Sequence, residues 1–115
     1  MAPGTPDLLP GTLDLLILRT LQKDSLHGWA ISERIQHVSE DVLQVDTGSL
    51  YPAMHRLERQ GLIRAEWKVS ENNQRVRVYQ LTAAGRKHYA AARSRWTQLS
   101  EAIAGVLNRT GESEA

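Results

Sequence analysis

A hydroxyl, a phenol, an imidazole and two guanidinium groups lie close together in residues 45–63, VDTGSLYPAMHRLERQGLI. At about 100° per residue, this segment separates into a polar and an apolar side. The polar side carries side chains of the kinds that contact phosphates and base edges in duplex DNA: Ser49, Tyr51, His55, Arg56 and Arg59. The apolar side carries Leu50, Ala53, Met54 and Leu57. The pattern predicts a helix that packs on a core and reads DNA, although an ordinary amphipathic surface helix has the same pattern.

The two ends of this helix are marked by different residues. Gly61 predicts a C-terminal cap. Pro52 lacks an amide hydrogen and fits most easily into a first turn, which Ser49 as the N-cap would provide. A cap at Asp46 or Thr47 would instead require a bent or 3₁₀ opening.

A β-hairpin is predicted directly after the helix. Residues 62–69 and 75–81 alternate in polarity on either side of the turn sequence SENNQ. Strict alternation puts the arginines of the second strand on the side opposite its valines. The basic side chains that a wing of this kind could lay along phosphates or the minor groove are Lys68, Arg75 and Arg77. A hairpin whose charges are simply solvated is the alternative.

Two helices are expected before this unit. Residues 1–11 hold three of the four prolines and predict a flexible arm. The first helix is expected over residues 13–23 with Thr12 as its cap, and the second over residues 26–38. Gly28 inside the second helix predicts a close packing contact. A polar turn then leads to the basic helix. The second helix and the basic helix together are therefore a helix-turn-helix candidate.

Two apolar surfaces predict a second copy of the chain. The first helix is apolar around nearly its whole circumference, which predicts burial on a second side at a subunit interface, through Leu15 and Leu18. A long helix over residues 82–107, capped by Thr82, carries apolar residues at heptad spacing. This seam consists of Tyr89, Ala92, Trp96, Leu99, Ile103 and Val106. A seam that folds back on its own domain is the alternative.

Residues 108–115 are expected to be a disordered tail.

Composition limits the possible classes of protein. With 115 residues and no cysteine, the chain fits one domain without disulfides or thiolate metal sites. The longest apolar run, residues 15–18, is far too short to cross a bilayer, and no signal peptide pattern is present, so a cytoplasmic protein is expected. The net charge of +1 is unevenly distributed: residues 1–46 carry three basic and seven acidic side chains, whereas residues 47–79 carry six and three. Positive charge therefore accumulates in the predicted DNA-reading segment.

The sequence does not predict an enzyme. It has no cysteine nucleophile, no glycine-rich phosphate loop and no Ser-His-Asp set that spacing could suggest. Glu33 and His37 share a helix face but have no third metal ligand, so they indicate a surface ion pair. Neither a metal nor another cofactor is expected.

Three segments together resemble the PadR family of bacterial transcriptional regulators: HGWAISERI, LYPAMHRLERQGLI and YQLTAAGR. The resemblance covers roughly residues 8–107 and points to the short members with a single C-terminal helix. It implies a winged helix-turn-helix domain, a homodimer held by the C-terminal and first helices, and repression by blocking a promoter. The family's Tyr-Pro pair falls on Tyr51 and Pro52, and its basic wing on Arg75 and Arg77.

The sequence departs from the family pattern in two places. His27-Gly28-Trp29 stands where the family commonly has HGY, and Asn73-Gln74-Arg75 replaces the common Gly-Arg-Pro of the wing. In addition, the family packs the equivalents of Tyr79 and Leu81 inward, whereas strict alternation places them on the side of Arg75 and Arg77. A bulge or a strong twist would reconcile the two.

We therefore expect a mainly α protein with a small β-hairpin (α+β). Its parts are a flexible arm (1–11), a winged helix-turn-helix domain (12–81), a dimerisation helix (82–107) and a disordered tail (108–115). The expected function is a sequence-specific DNA-binding regulator, a homodimeric repressor on an inverted-repeat operator. A winged-helix protein-interaction module without DNA binding is the alternative.

A small aromatic effector is a further expected partner. Trp96, with Tyr89 and Trp67 as neighbours, could line a flat site between subunits where a planar ligand stacks. Plain interface packing is the commoner role for a tryptophan on a helical seam.

Overall fold

The computed structural model describes residues 11–113, with side chains described to residue 109. Its elements, in chain order, are α1 (Thr12–Thr20), β1 (Leu26–His27), α2 (Gly28–Val38), α3 (Thr47–Arg59), β2 (Ile63–Val69), β3 (Arg75–Leu81) and α4 (Ala83–Ser113). The expected arm lies outside the described residues except for Gly11, as do the last two residues of the expected tail. The helices and a three-stranded antiparallel sheet, ordered β1-β3-β2, form a winged-helix arrangement, which confirms the expected α+β class.

The core lies where α1, α2 and α3 meet the base of the sheet. Its buried side chains are Ile17, Leu18, Leu21, Ile31, Ile35, Leu50, Ala53, Met54, Leu57, Leu62, Ile63, Tyr79 and Leu81. α1 contacts all three other helices, so most of its apolar circumference is buried within the chain. Leu18 is only 1% exposed. Its expected place in a subunit interface is therefore wrong, whereas Leu15 is half-buried and keeps some accessible surface.

The first helix begins and ends at residues other than those expected, and the second begins later than expected but ends at Val38 as predicted. α1 has Gly11 rather than Thr12 as its N-cap, with φ of 87° and no side-chain cap, and it ends at Thr20. α2 begins at Gly28, because Leu26 and His27 pair with β3 instead of entering the helix. The His27 ring caps α2: its Nδ1 accepts a hydrogen bond from the amide of Ala30 at 3.3 Å.

The long helix α4 begins as expected and ends later. The Thr82 hydroxyl accepts the amide hydrogen of Gly85 at 3.0 Å and donates to the carbonyl of Gly61 at 2.7 Å, which ties the helix to the chain segment after α3. At the other end α4 runs to Ser113. The expectation of a disordered tail is therefore wrong for residues 108–113. Residues 106–110, VLNRT, contain neither proline nor glycine, so helical hydrogen bonding continues past the last seam position.

Candidate nucleic-acid interface

The N-terminus of α3 is fixed by Asp46. Its Oδ1 accepts the amide hydrogen of Ser49 at 2.8 Å, so Asp46 is the N-cap and Ser49 is the third helical residue. The cap at Ser49 is thus excluded, and Pro52 lies in the second turn, where it supplies no amide hydrogen. Ser49 is exposed at this end of the helix.

The C-terminus of α3 is capped at Gly61, as predicted. Gly61 has φ of 75° and donates to the carbonyl of Glu58 at 3.0 Å, while Leu62 donates to the carbonyl of Leu57 at 3.0 Å. These two bonds form a Schellman motif, in which a glycine readily takes the left-handed conformation. The motif turns the chain directly into β2 and sets the angle between α3 and the hairpin.

α3 has one buried face and one exposed face, as its periodicity predicted. Leu50, Met54 and Leu57 are fully buried. The opposite side chains are exposed: Ser49, Tyr51, His55 and Arg59. The helix therefore presents a hydroxyl, a phenol, an imidazole and a guanidinium on one rigid surface.

Tyr51 is held against the start of α2. A Cβ atom placed on Gly28 would lie 2.8 Å from the Tyr51 ring and 2.9 Å from its hydroxyl. This confirms that Gly28 is a close packing site. Tyr51 nevertheless stays 37% exposed. The contact restricts the rotamer of the ring while leaving its edge accessible.

Arg56 is also exposed on α3 but is engaged with α1. Its Nη2 forms an ion pair with the Asp14 carboxylate of α1. The guanidinium, whose side chain stays 44% exposed, is therefore engaged in a contact between α3 and α1. For Arg59, no ion-pair partner occurs among the side chains described here.

The wing is a regular hairpin without a bulge. Its register runs unbroken from Ile63 opposite Leu81 to Val69 opposite Arg75. Arg75, Arg77, Tyr79 and Leu81 consequently share one face, as strict alternation predicted. That face is buried at the base of the hairpin and exposed at its tip, because the strands extend past the helices. No bulge is needed to bury Tyr79 and Leu81.

The wing cations differ in their surroundings. Arg77 pairs with Glu58 of α3 at 2.8 Å and lies 5.8 Å from the centre of the Tyr79 ring. Arg75 lies over the Trp67 ring at 4.8 Å, a cation–π arrangement. Lys68 forms an exposed pair with Glu66 at 3.4 Å. Arg77 thus joins the wing to α3, while Arg75 and Lys68 lie further out along the hairpin.

Tyr79 anchors the base of this surface. Burial raises the pKa of its phenol, and the nearby Arg77 charge acts in the opposite direction. The phenol therefore stays neutral at physiological pH and packs against the core.

Several of these interactions were not predicted. The pairs of Arg56 with Asp14 and Arg77 with Glu58 join residues 42 and 19 positions apart. The two-residue strand β1 is too short to show any alternation. Long-range pairing of this kind leaves no periodic signal in the sequence.

A family comparison now identifies the chain. The sequence profile of the "Transcriptional regulator PadR-like family" matches residues 17–91, which include the whole of α3 and the wing. The chain belongs to the PadR family.

Relatives agree with this assignment. The transcriptional regulator Rv3488 of Mycobacterium tuberculosis is 34% identical over 97 residues, covering 84% of this chain and 86% of that protein. A transcriptional regulator from Clostridium thermocellum superposes with a TM-score of 0.74 at 28% identity, over 81% of this chain and 87% of the other. A PadR family regulator from Clostridium difficile gives a TM-score of 0.75 at 25% identity, over 85% of this chain and 100% of the other.

Membership of the PadR family defines the class of function. PadR proteins are transcriptional regulators and not enzymes, so this chain is a transcriptional regulator. Members of the family bind DNA and generally act as dimers. Within residues 11–113, no helix is long and apolar enough to cross a membrane, and no cluster of side chains suits a metal ion.

The seam of this PadR chain is largely accessible. Trp96, Leu99, Ile103 and Val106 are 43–65% exposed on α4. Tyr89 is partly buried against the core, and Ala92 is half-buried. The seam therefore divides into a part that packs on its own domain and an apolar part, from Trp96 onward, that is free of intramolecular cover.

Trp67 does not belong with the other two aromatic residues expected at the effector site. It lies on β2 beneath Arg75, whereas Tyr89 and Trp96 lie on α4, two turns apart. Trp67 is therefore part of the wing, and its contacts do not support a single ligand site formed by all three aromatic residues.

Proposed function

We propose that this PadR chain is a homodimeric repressor that binds an inverted-repeat operator in promoter DNA, in the bacterial cytoplasm. The observation that carries the proposal is the exposed face of α3, which is rigidly held by the Asp46 cap, the Gly61 motif and a buried opposite face. A helix fixed at both ends with accessible polar side chains suits insertion into a major groove.

The roles proposed for the individual side chains follow from their surroundings. Ser49, Tyr51, His55 and Arg59 face the bases and adjacent phosphates. Arg59 is the best candidate for a guanine edge, since a guanidinium can donate two hydrogen bonds to it. Arg75 and Lys68 lie along the backbone. Arg77 acts mainly by positioning the wing on α3, and Arg56 by holding α3 on α1.

Dimerisation through α4 would supply the symmetry of the operator. The helix has 31 residues and is about 46 Å long, so its distal part projects an apolar face that one domain leaves uncovered. Pairing of two such faces around a two-fold axis would place two α3 helices for half-sites about 34–36 Å apart. Leu15 could extend the interface, because its surface is partly accessible.

We also propose that Trp96 and Tyr89 bind a small aromatic effector. An exposed indole on a face shared by two subunits offers stacking surface on both sides of a planar ligand. Planar aromatics should therefore quench tryptophan fluorescence of the dimer. A Trp96→Ala variant that remains dimeric should lose this quenching, and a lack of quenching across a broad panel would remove the effector from the proposal.

The proposal is tested by gel shift on the DNA upstream of the chain's own gene. The wild-type chain should bind one site, and Arg59→Ala should weaken binding by about 1–3 kcal/mol while relaxing preference at one base position. Arg95→Ala, on α4, is the matched control that removes the same charge elsewhere. If no duplex DNA is bound, or if Arg59→Ala and Arg95→Ala behave alike, the protein-interaction module becomes the better assignment.

A further inference from the structure

A cavity of about 350 Å³ lies between α1 and α2, away from the exposed face of α3. Its apolar lining is entirely aliphatic: Leu16, Ile35, Val38 and Leu43. This volume is at the lower end of the range found for small-molecule sites, roughly 300–1,000 Å³. The lining therefore suits a small ligand with a flexible aliphatic body.

The rim of this cavity is cationic. Arg19, Lys23 and Arg34 line it together with a single acid, Asp24. Asp24 pairs with Arg34 at 2.8 Å. Arg19, on α1, and Lys23, in the turn that follows α1, have no ion-pair partner among the side chains described to residue 109. Two uncompensated positive charges beside an apolar floor complement an amphipathic anion.

We propose that the cavity between α1 and α2 binds a medium-chain aliphatic carboxylate, with its chain against Leu43 and Ile35 and its head group on Arg19 and Lys23. The four aliphatic side chains favour an alkyl chain over a flat ring, since none of the apolar lining residues offers an aromatic face for stacking. The site is separate from Trp96 and requires no second subunit.

The position of the cavity connects it to α3. Ser39 and Leu43 line it and belong to the turn between α2 and α3, where the Ser39 hydroxyl accepts the amide hydrogen of Leu43 at 3.0 Å. Glu40 and Asp41 in the same turn have φ values of 54° and 67°, a conformation that is uncommon for residues other than glycine. A ligand that moves Leu43 would displace the segment leading to Asp46. Because we propose that α3 binds DNA, we also expect occupancy of this cavity to change DNA affinity.

The test is a titration of the full chain with decanoate below its micelle concentration, followed by calorimetry and by methyl NMR. Decanoate should bind saturably and shift the methyl signals of Ile35, Val38 and Leu43. The uncharged 1-decanol should bind roughly tenfold more weakly or worse, because it lacks the charge-assisted contacts. Arg19→Gln with Lys23→Gln should reduce decanoate affinity by about the same factor.

A matched variant provides the control for charge. Lys87→Gln with Arg95→Gln removes two positive charges from exposed positions on α4 and should leave decanoate binding unchanged. Equal binding of 1-decanol and decanoate would overturn the proposal, as would shifts concentrated at Trp96 or an absence of saturable binding. Methyl contacts between Val38 or Leu43 and α4 of a second copy, in the ligand-free protein, would also overturn it.

The effect of decanoate on DNA binding is measured separately. Decanoate should change DNA affinity by about threefold or more in the wild-type chain and not in the Arg19, Lys23 double variant. Binding of decanoate without this change would show that the cavity does not regulate DNA binding. Absence of DNA binding in the ligand-free chain would overturn the proposed function, while the titration still decides the ligand site.

Discussion

At Gly85, α4 packs closely on the backbone of Leu62. A Cβ atom at this position would lie 2.0 Å from the backbone oxygen of Leu62, and backbone cannot swing aside as a flexible side chain does. We predict that Gly85→Ala lowers the free energy of unfolding by about 1–3 kcal/mol, the usual cost of overpacking. Urea denaturation measures this change.

Gly105 provides the matched control for that substitution. It lies in the same helix, but an added Cβ would meet no atom within 4 Å. Gly105→Ala should therefore stabilise the chain by about 0.5–1 kcal/mol through helix propensity. Equal effects of the two substitutions would show that α4 does not pack on Leu62 as described.

Arg77 and Glu58 form a second pair that can be tested residue by residue. Removing Arg77 leaves the Glu58 carboxylate uncompensated near the proposed DNA surface, so Arg77→Ala should weaken binding to all sequences alike, by about 1 kcal/mol. Adding Glu58→Gln to Arg77→Ala should recover part of the loss. Fluorescence anisotropy with a specific and an unrelated duplex measures both. A loss confined to one base position would instead assign Arg77 to direct readout.

At the scale of elements, what could be predicted depended on how local the signal was. The faces of α3, the Gly61 cap and the alternation of the hairpin follow from spacing within one element, and the structure has them as expected. The formation of β1 and the burial of Leu18 depend on partners that are distant in the sequence. The end of α4 depends on continued helical hydrogen bonding. The polar turn between α2 and α3 was expected, but its left-handed conformation could not be predicted, because the residues that adopt it are Glu40 and Asp41 rather than glycines.

The N-cap of α3 gives a prediction at this scale. Asp46→Ala removes the acceptor for the Ser49 amide and should lower stability by about 1 kcal/mol. Asp46→Asn keeps an acceptor and should cost much less. Thermal unfolding followed by circular dichroism compares the two. If the two variants melt at the same temperature, the cap contributes little to holding α3.

For the whole molecule, the accessible part of the α4 seam determines the expected assembly. Leu99→Asp places a charge in the middle of an apolar face and should convert the dimer to a monomer at micromolar concentration, because an unpaired buried charge is costly. Ser94→Asp introduces the same charge on a different side of α4 and should leave the dimer intact. Sedimentation velocity separates these outcomes. If both variants remain dimeric, the interface lies elsewhere on the chain.

The central claim is that two copies of α3 read one symmetric DNA site, and a genome-wide binding map of the tagged chain tests it most directly. The account predicts sharp peaks in promoters that share an inverted repeat, with half-site centres about one helical turn apart. In an Arg59→Ala strain that contains as much protein, the peaks should weaken and their preference at one base position should relax. Enrichment no greater than in an untagged strain, or peaks that share no symmetric sequence, would contradict it.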